Sequence, residues 1–124
     1  MIAAVMLAAC AGPTEPVLGA ADAARAGDRD GYAAWFTPRS RPLLRTLWKT
    51  ADEAAPELGR LHARDVTIDS VSPLPADDEG TSRALVVARE GGRAMRLVVH
   101  DLAGDWRIDL LDTERGLTAF APPF

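Results

Sequence analysis

Residues 83–112, RALVVAREGGRAMRLVVHDLAGDWRIDLLD, decide how this chain folds. Apolar side chains recur at every second position, the period of a strand, and Gly91-Gly92 and Ala103-Gly104 interrupt the pattern. Each dipeptide reads as a two-residue hairpin turn, a connection that favours residues able to take positive φ. A turn at Gly91-Gly92 sets Glu90 opposite Arg93, Ala88 opposite Met95, Val86 opposite Leu97 and Ala84 opposite Val99. A turn at Ala103-Gly104 sets Leu102 opposite Asp105, Asp101 opposite Trp106, Val99 opposite Ile108 and Leu97 opposite Leu110. Both registers put Ala84, Val86, Ala88, Met95, Leu97, Val99, Trp106, Ile108 and Leu110 on one face. A slip of one residue in either turn would break that agreement. Strands near 83–90, 93–102 and 105–112 are therefore expected to form an antiparallel meander with an apolar face turned to a core.

The opposite face carries a mixed set: Leu85, Val87, Arg89, Arg96, Val98, His100, Arg107, Asp109 and Leu111. His100, Arg107 and Asp109 are expected there as an exposed charged cluster. Leu85, Val87, Val98 and Leu111 would form an exposed apolar patch, which on a single copy implies a contact. The tail with Leu117, Phe120, Pro122-Pro123 and Phe124 could cover it, or two copies could pair sheet to sheet. The homodimer is the favoured expectation.

Upstream of the meander, Val66 and Ile68 mark a first strand, followed by a loop at Ser72 to Ser82 (SPLPADDEGTS). Before His62 the period is helical. Thr14, Glu15 and Pro16 suit the start of a first helix, carrying Val17, Leu18, Ala21 and Ala24 and ending at Gly27. Asp28 caps a short second helix with Tyr32, Trp35 and Phe36, stopped by Thr37-Pro38. Ser40 and Pro42 open a third, with Leu43, Leu44, Leu47, Trp48 and Ala51 as its buried stripe, broken by Pro56 and Gly59.

The length of 124 residues fits one domain, and the formal charge of −4 lies wholly after residue 9. Mild acidity with scattered Arg argues against nucleic acid as a partner. The chain opens on nine apolar residues, too few to cross a bilayer. With the sole cysteine following, Leu7-Ala8-Ala9-Cys10 resembles a bacterial lipobox, where a signal is cut and the new N-terminal Cys is acylated, with palmitate among its chains. No Lys or Arg precedes the apolar run, so the signal is expected to begin upstream of Met1. A single Cys permits no internal disulfide, and acylation accounts for a lone thiol in an exported chain. Residues 1–9 read as residual signal, 10–16 as lipidated Cys and tether, and 17–124 as one domain. The implied location is the bacterial envelope, facing periplasm or exterior, with the membrane reached through the lipid anchor.

Ala26-Gly27-Asp28, then Tyr32-Ala33-Ala34-Trp35-Phe36, Ser40-Arg41 and the late Gly104-Asp105-Trp106-Arg107-Ile108-Asp109 together resemble nuclear transport factor 2-like domains. The likeness covers about residues 15–112 and implies an α+β fold: N-terminal helices packed on a curved antiparallel sheet, closed as a cone. Such domains often carry about six strands, whereas four are clear here. The superfamily includes ketosteroid-isomerase-like and SnoaL-like members, other enzymes and non-catalytic scaffolds, so the fold licenses no chemistry by itself.

Under that resemblance Tyr32, His100 and Asp109 form the tempting catalytic set, with Asp101 at the cone mouth as a further acid. The register turns His100 and Asp109 away from the pocket face, and a general base must reach a substrate proton at hydrogen-bond distance. The cone would be lined by Tyr32, Trp35, Phe36, Trp48, Val86, Leu97, Trp106 and Ile108, an apolar set suited to a small apolar ligand but more commonly plain core. No metal-ligand spacing stands out around His62, and Asp77-Asp78-Glu79 read as a solvated loop rather than a Ca²⁺ site. Arg39, Arg41 and Arg45 could meet anionic headgroups or form a solvated helix face. No cofactor is implied. The expectation is a non-catalytic envelope binding or interaction module; the alternative is a small isomerase- or hydrolase-like enzyme using Tyr32 with Asp101 or Asp109.

Overall fold

The computed structural model describes residues 12–54 and 66–112. Cys10 and the segment before it, Pro56 to His62, and the tail from Leu117 lie outside the described residues. Three helices, α1 (Glu15–Arg25), α2 (Arg29–Ala33) and α3 (Arg41–Ala54), precede four strands, β1 (Val66–Leu74), β2 (Arg83–Glu90), β3 (Arg93–Leu102) and β4 (Asp105–Ile108). The strands form one antiparallel sheet in the order β1-β2-β3-β4. The architecture is α+β.

Thr14 stands at the N-cap of α1 without a side-chain capping bond, and Pro16 sits in the first turn, where a missing N–H costs nothing. Gly27 takes a φ of +69°, which lets the Asp28 N–H turn back to the Ala23 carbonyl at 3.0 Å and close the helix. Asp28 then caps α2, its carboxylate accepting the Gly31 N–H at 3.0 Å. Val17, Ala20, Ala21 and Ala24 are buried along α1. At Gly19 the absent side chain lets the Trp35 indole lie directly on the helix backbone.

The second helix is shorter than the sequence implies. It stops at Ala33, so Trp35 and Phe36 lie beyond it. A competing partner takes their backbone: the Ile108 N–H donates to the Trp35 carbonyl and the Thr37 N–H to the Ile108 carbonyl, both at 2.9 Å. Residues 35–37 thus run along the outer edge of β4, with Phe36 in a parallel bridge to Ile108. Phe36 and Ile108 are fully buried there, and each such burial stabilises by about 1.5–3 kcal/mol.

The β2–β3 register runs from Glu90 opposite Arg93 to Ala84 opposite Val99, as expected, and continues to Arg83 opposite His100. The first turn has positive φ at Gly91 only, the pattern of a type II′ rather than a type I′ turn. At the second, both Ala103 (+57°) and Gly104 (+96°) are positive, the type I′ pattern. Ala84, Val86, Ala88, Met95, Leu97, Val99, Ile108 and Leu110 are buried in the core, with Trp106 partly buried against it. Two boundaries differ. β1 continues through Ser72 and Pro73 to Leu74, because an edge strand tolerates a proline whose lost N–H would face outward. β4 ends at Ile108 rather than near 112, and the ladder pairs no residue with Leu110. There the Asp109 carboxylate accepts the N–H groups of Leu111 (2.8 Å) and Asp112 (3.2 Å) and turns the chain out of the sheet.

Candidate functional site

The loop from Thr37 to Ser40 lies against the end of β4, and a buried polar cluster forms there. Ser40 is fully buried. Its hydroxyl accepts the Leu110 N–H at 3.0 Å, donates to Asp109 Oδ1 at 3.3 Å and lies 2.7 Å from the Thr37 hydroxyl. Asp109 Oδ2 accepts from Arg39, with both Nε and Nη2 at 2.8 Å. On the other side His100 Nδ1 stands 3.5 Å from Asp109 Oδ2, and His100 Nε2 stands 2.6 Å from Asp112 Oδ2. Arg83 Nη1 donates to both Asp112 oxygens at 2.9 Å, while its Nε donates to the Pro75 carbonyl at 2.8 Å. A continuous chain of polar contacts results: Arg39, Asp109, His100, Asp112, Arg83.

The expected exposed charged cluster is therefore corrected. His100 is 5% exposed and Asp109 is 4% exposed. The apolar patch on the same face is also smaller than expected: Val98 is buried, Leu85 and Val87 are half-buried, and Leu111 is exposed. Alternation assigns a residue to a face, but burial depends on what lies over that face.

A cleft of about 390 Å³ opens beside the cluster, between Arg39, Arg83, Leu111 and Asp112 on one side and the acidic loop Asp77 to Glu79 on the other. Asp77 Oδ1 accepts the N–H groups of Thr81 (2.8 Å) and Glu79 (2.9 Å). The Thr81 N–H, ahead of the Glu79 N–H and the His100 charge, holds its carboxyl below the ordinary range although burial opposes this. For Asp112 burial pushes upward, but hydrogen bonds and charge from Arg83 and His100 together outweigh it and hold the carboxyl low. Among the described residues no group of three or more His, Cys, Asp or Glu is arranged to hold a metal ion.

The other sequence candidates lie elsewhere. Tyr32 is fully buried, its ring 5.0 Å from Phe36 and 6.0 Å from Trp48. Phe36, Val86, Leu97 and Ile108 are core residues, with Trp35, Trp48 and Trp106 packed partly buried against them. The Arg107 guanidinium lies 5.2 Å from the Trp35 ring centroid. Asp101 caps the β3–β4 hairpin, accepting the Gly104 N–H at 2.7 Å. Two of the three arginines at the start of α3 have partners within the protein: Arg39, itself exposed, pairs with Asp109, and Arg41 Nε donates to the Ala33 and Phe36 carbonyls at 3.2 Å.

Sequence reasoning missed Arg39, Ser40, Arg83 and Asp112 as partners of His100 and Asp109. Part of the signal was present: extending the β2–β3 register by one residue sets Arg83 beside His100, and β4 sets Arg107 on its other side. Arg39 and Ser40 left no local trace, because they arrive from about 70 residues away. No helix among the described residues is long and apolar enough to cross a membrane. Comparison with family models, with curated proteins and with solved structures finds no match for this chain.

Proposed function

We propose that this protein is an exported, lipid-anchored module of the bacterial envelope, of nuclear transport factor 2-like cone type, which acts by binding or interaction rather than by catalysis. The anchor rests on Leu7-Ala8-Ala9-Cys10 and the small, Pro-containing tether after it. The cone rests on the sequence phrases around Gly27-Asp28 and Gly104-Asp105-Trp106, and agrees with helices preceding an antiparallel sheet.

The observation that carries the non-catalytic reading is how the acid–base side chains are occupied. Both nitrogens of His100 face carboxylates, Asp109 takes donors on both oxygens, and Asp101 holds a hairpin turn. A general acid or base needs a free position aimed at substrate, and His100 and Asp109 spend theirs on the protein itself. Tyr32, Phe36, Val86, Leu97 and Ile108 share one core cluster, which favours contact through the surface over an apolar ligand held inside.

Two measurements test this. Expressed in a bacterial host from its own gene, the protein should incorporate a fatty-acid analogue, and Cys10→Ser should abolish the labelled band; a band indifferent to Cys10, or no band at all, removes the anchor. Native mass spectrometry of the full chain reads the rest. A retained small apolar molecule would move the ligand back into the cone, and a single-copy mass would remove the sheet-to-sheet dimer.

A further inference from the structure

We propose that the basic stripe of α3, formed by Arg41, Arg45 and Lys49, is a second membrane contact, laid against the anionic phospholipid headgroups of the leaflet that holds the Cys10 anchor.

From Gly31 to Ala51 the chain carries the cations Arg39, Arg41, Arg45 and Lys49 and no acid, although its formal charge as a whole is −4. Arg41, Arg45 and Lys49 are spaced four apart within α3, so they share one face of the helix over about 12 Å. Arg45 and Lys49 are exposed, and neither forms an ion pair among the described residues. Arg41 is half-buried and donates to the Ala33, Ala34 and Phe36 carbonyls, neutral acceptors that leave its charge uncancelled. Arg39, just before the helix, is already paired with Asp109 and stands outside the stripe.

Folding alone does not favour this pattern. Like charges four residues apart on a helix repel, and cations near its start oppose the helix dipole. α3 has no acid in its first turn and no base in its last. An anionic surface over the stripe offsets both effects.

Two observations select a membrane leaflet as that surface. Glu15, where α1 begins, comes five residues after Cys10. Chain of that length holds the start of the domain within about 18 Å of an anchor at Cys10. The second observation is the distribution of charge. Over residues 66–112, which form the sheet and its connections, acids outnumber arginines. A domain polarised in this way turns its basic side to a negative leaflet and its acidic side to solvent. The choice of partner rests on the anchored reading, whereas the stripe itself does not.

The test uses the full chain carrying Cys10→Ser, so that no acyl chain contributes. It is sedimented with vesicles of phosphatidylcholine alone, or of phosphatidylcholine and phosphatidylglycerol in equal parts. In low salt the mixed vesicles should bind more protein than the neutral ones. The difference should vanish in about 1 M salt, where the screening length falls to about 3 Å. Arg45→Gln combined with Lys49→Gln should weaken binding to the mixed vesicles about 20- to 30-fold, at roughly a factor of five per cation. Arg89→Gln combined with Arg96→Gln removes the same charge from exposed positions of the sheet and should leave that binding nearly unchanged. All four side chains are exposed, and circular dichroism checks that each variant keeps its fold. Equal losses in the two double variants, or no preference for anionic vesicles, overturn the stripe. Binding that survives about 1 M salt also overturns it and assigns the contact to the apolar residues 1–9. Fatty-acid labelling at Cys10 is read separately, so a failed anchor and a failed stripe are told apart.

Discussion

Ala103 holds a φ of +57° in the β3–β4 turn, and it is the one non-glycine residue with positive φ among those described. The left-handed region crowds a β carbon against the following carbonyl, at roughly 1–2 kcal/mol. The type I′ geometry imposes it, because that turn matches the twist of the strands it joins. Ala103→Gly should therefore stabilise the protein by up to about 1 kcal/mol, the relief being partly offset by a freer unfolded chain. Urea unfolding checks this, and a lower midpoint would mean that the Ala103 methyl contributes more than its strain costs. Asp109 is the contrasting residue: its sequence neighbours suggest a strand position, yet its carboxylate ends the strand.

α1 shows how a sequence preference can mislead at the scale of an element. Gly19 lies mid-helix, where Ala is ordinarily better by about 1 kcal/mol. A β carbon there would collide with the Trp35 indole. Gly19→Ala is expected to destabilise by about 1–2 kcal/mol, the overpacking cost exceeding the propensity gain. In a Trp35→Ala background the same change should stabilise by about 1 kcal/mol. A double-mutant cycle in chemical denaturation measures the reversal, and additive effects would show that the indole does not rest on Gly19. Strand registers were legible because both turns are two residues long and one face is nearly all apolar. Strand ends were not, since β4 stops where a carboxylate competes for backbone N–H groups and β1 runs on where an edge tolerates proline.

For the whole molecule, the polar cluster ties the α2–α3 loop, β2, β3 and the chain after β4 into one unit. Its acid response follows from Asp112, whose carboxyl is held below the ordinary value of 3.8 despite burial. A carboxyl lowered in the fold contributes stability that is complete above the unfolded value and is lost as pH falls through the folded one. Thermal midpoints of the wild type should therefore fall more steeply below about pH 4 than those of Asp112→Asn. Parallel curves for the two proteins would show that the Arg83 and His100 contacts to Asp112 contribute nothing to folding. The open cleft beside this cluster was invisible in the sequence, because its two walls come from the β1–β2 loop and the turn after β4.

The sequence by itself determined the order of helices and strands, both hairpin registers, and which residues of the meander enter the core. These follow from local periodicity and turn chemistry, which act over a few residues. Only the tertiary structure decided that His100 and Asp109 are buried, that Arg39 and Ser40 meet Asp109, and that Phe36 leaves its helix to pair with Ile108. A polar side chain tolerates burial only when partners reach it, and two of those that reach Asp109 come from about 70 residues away.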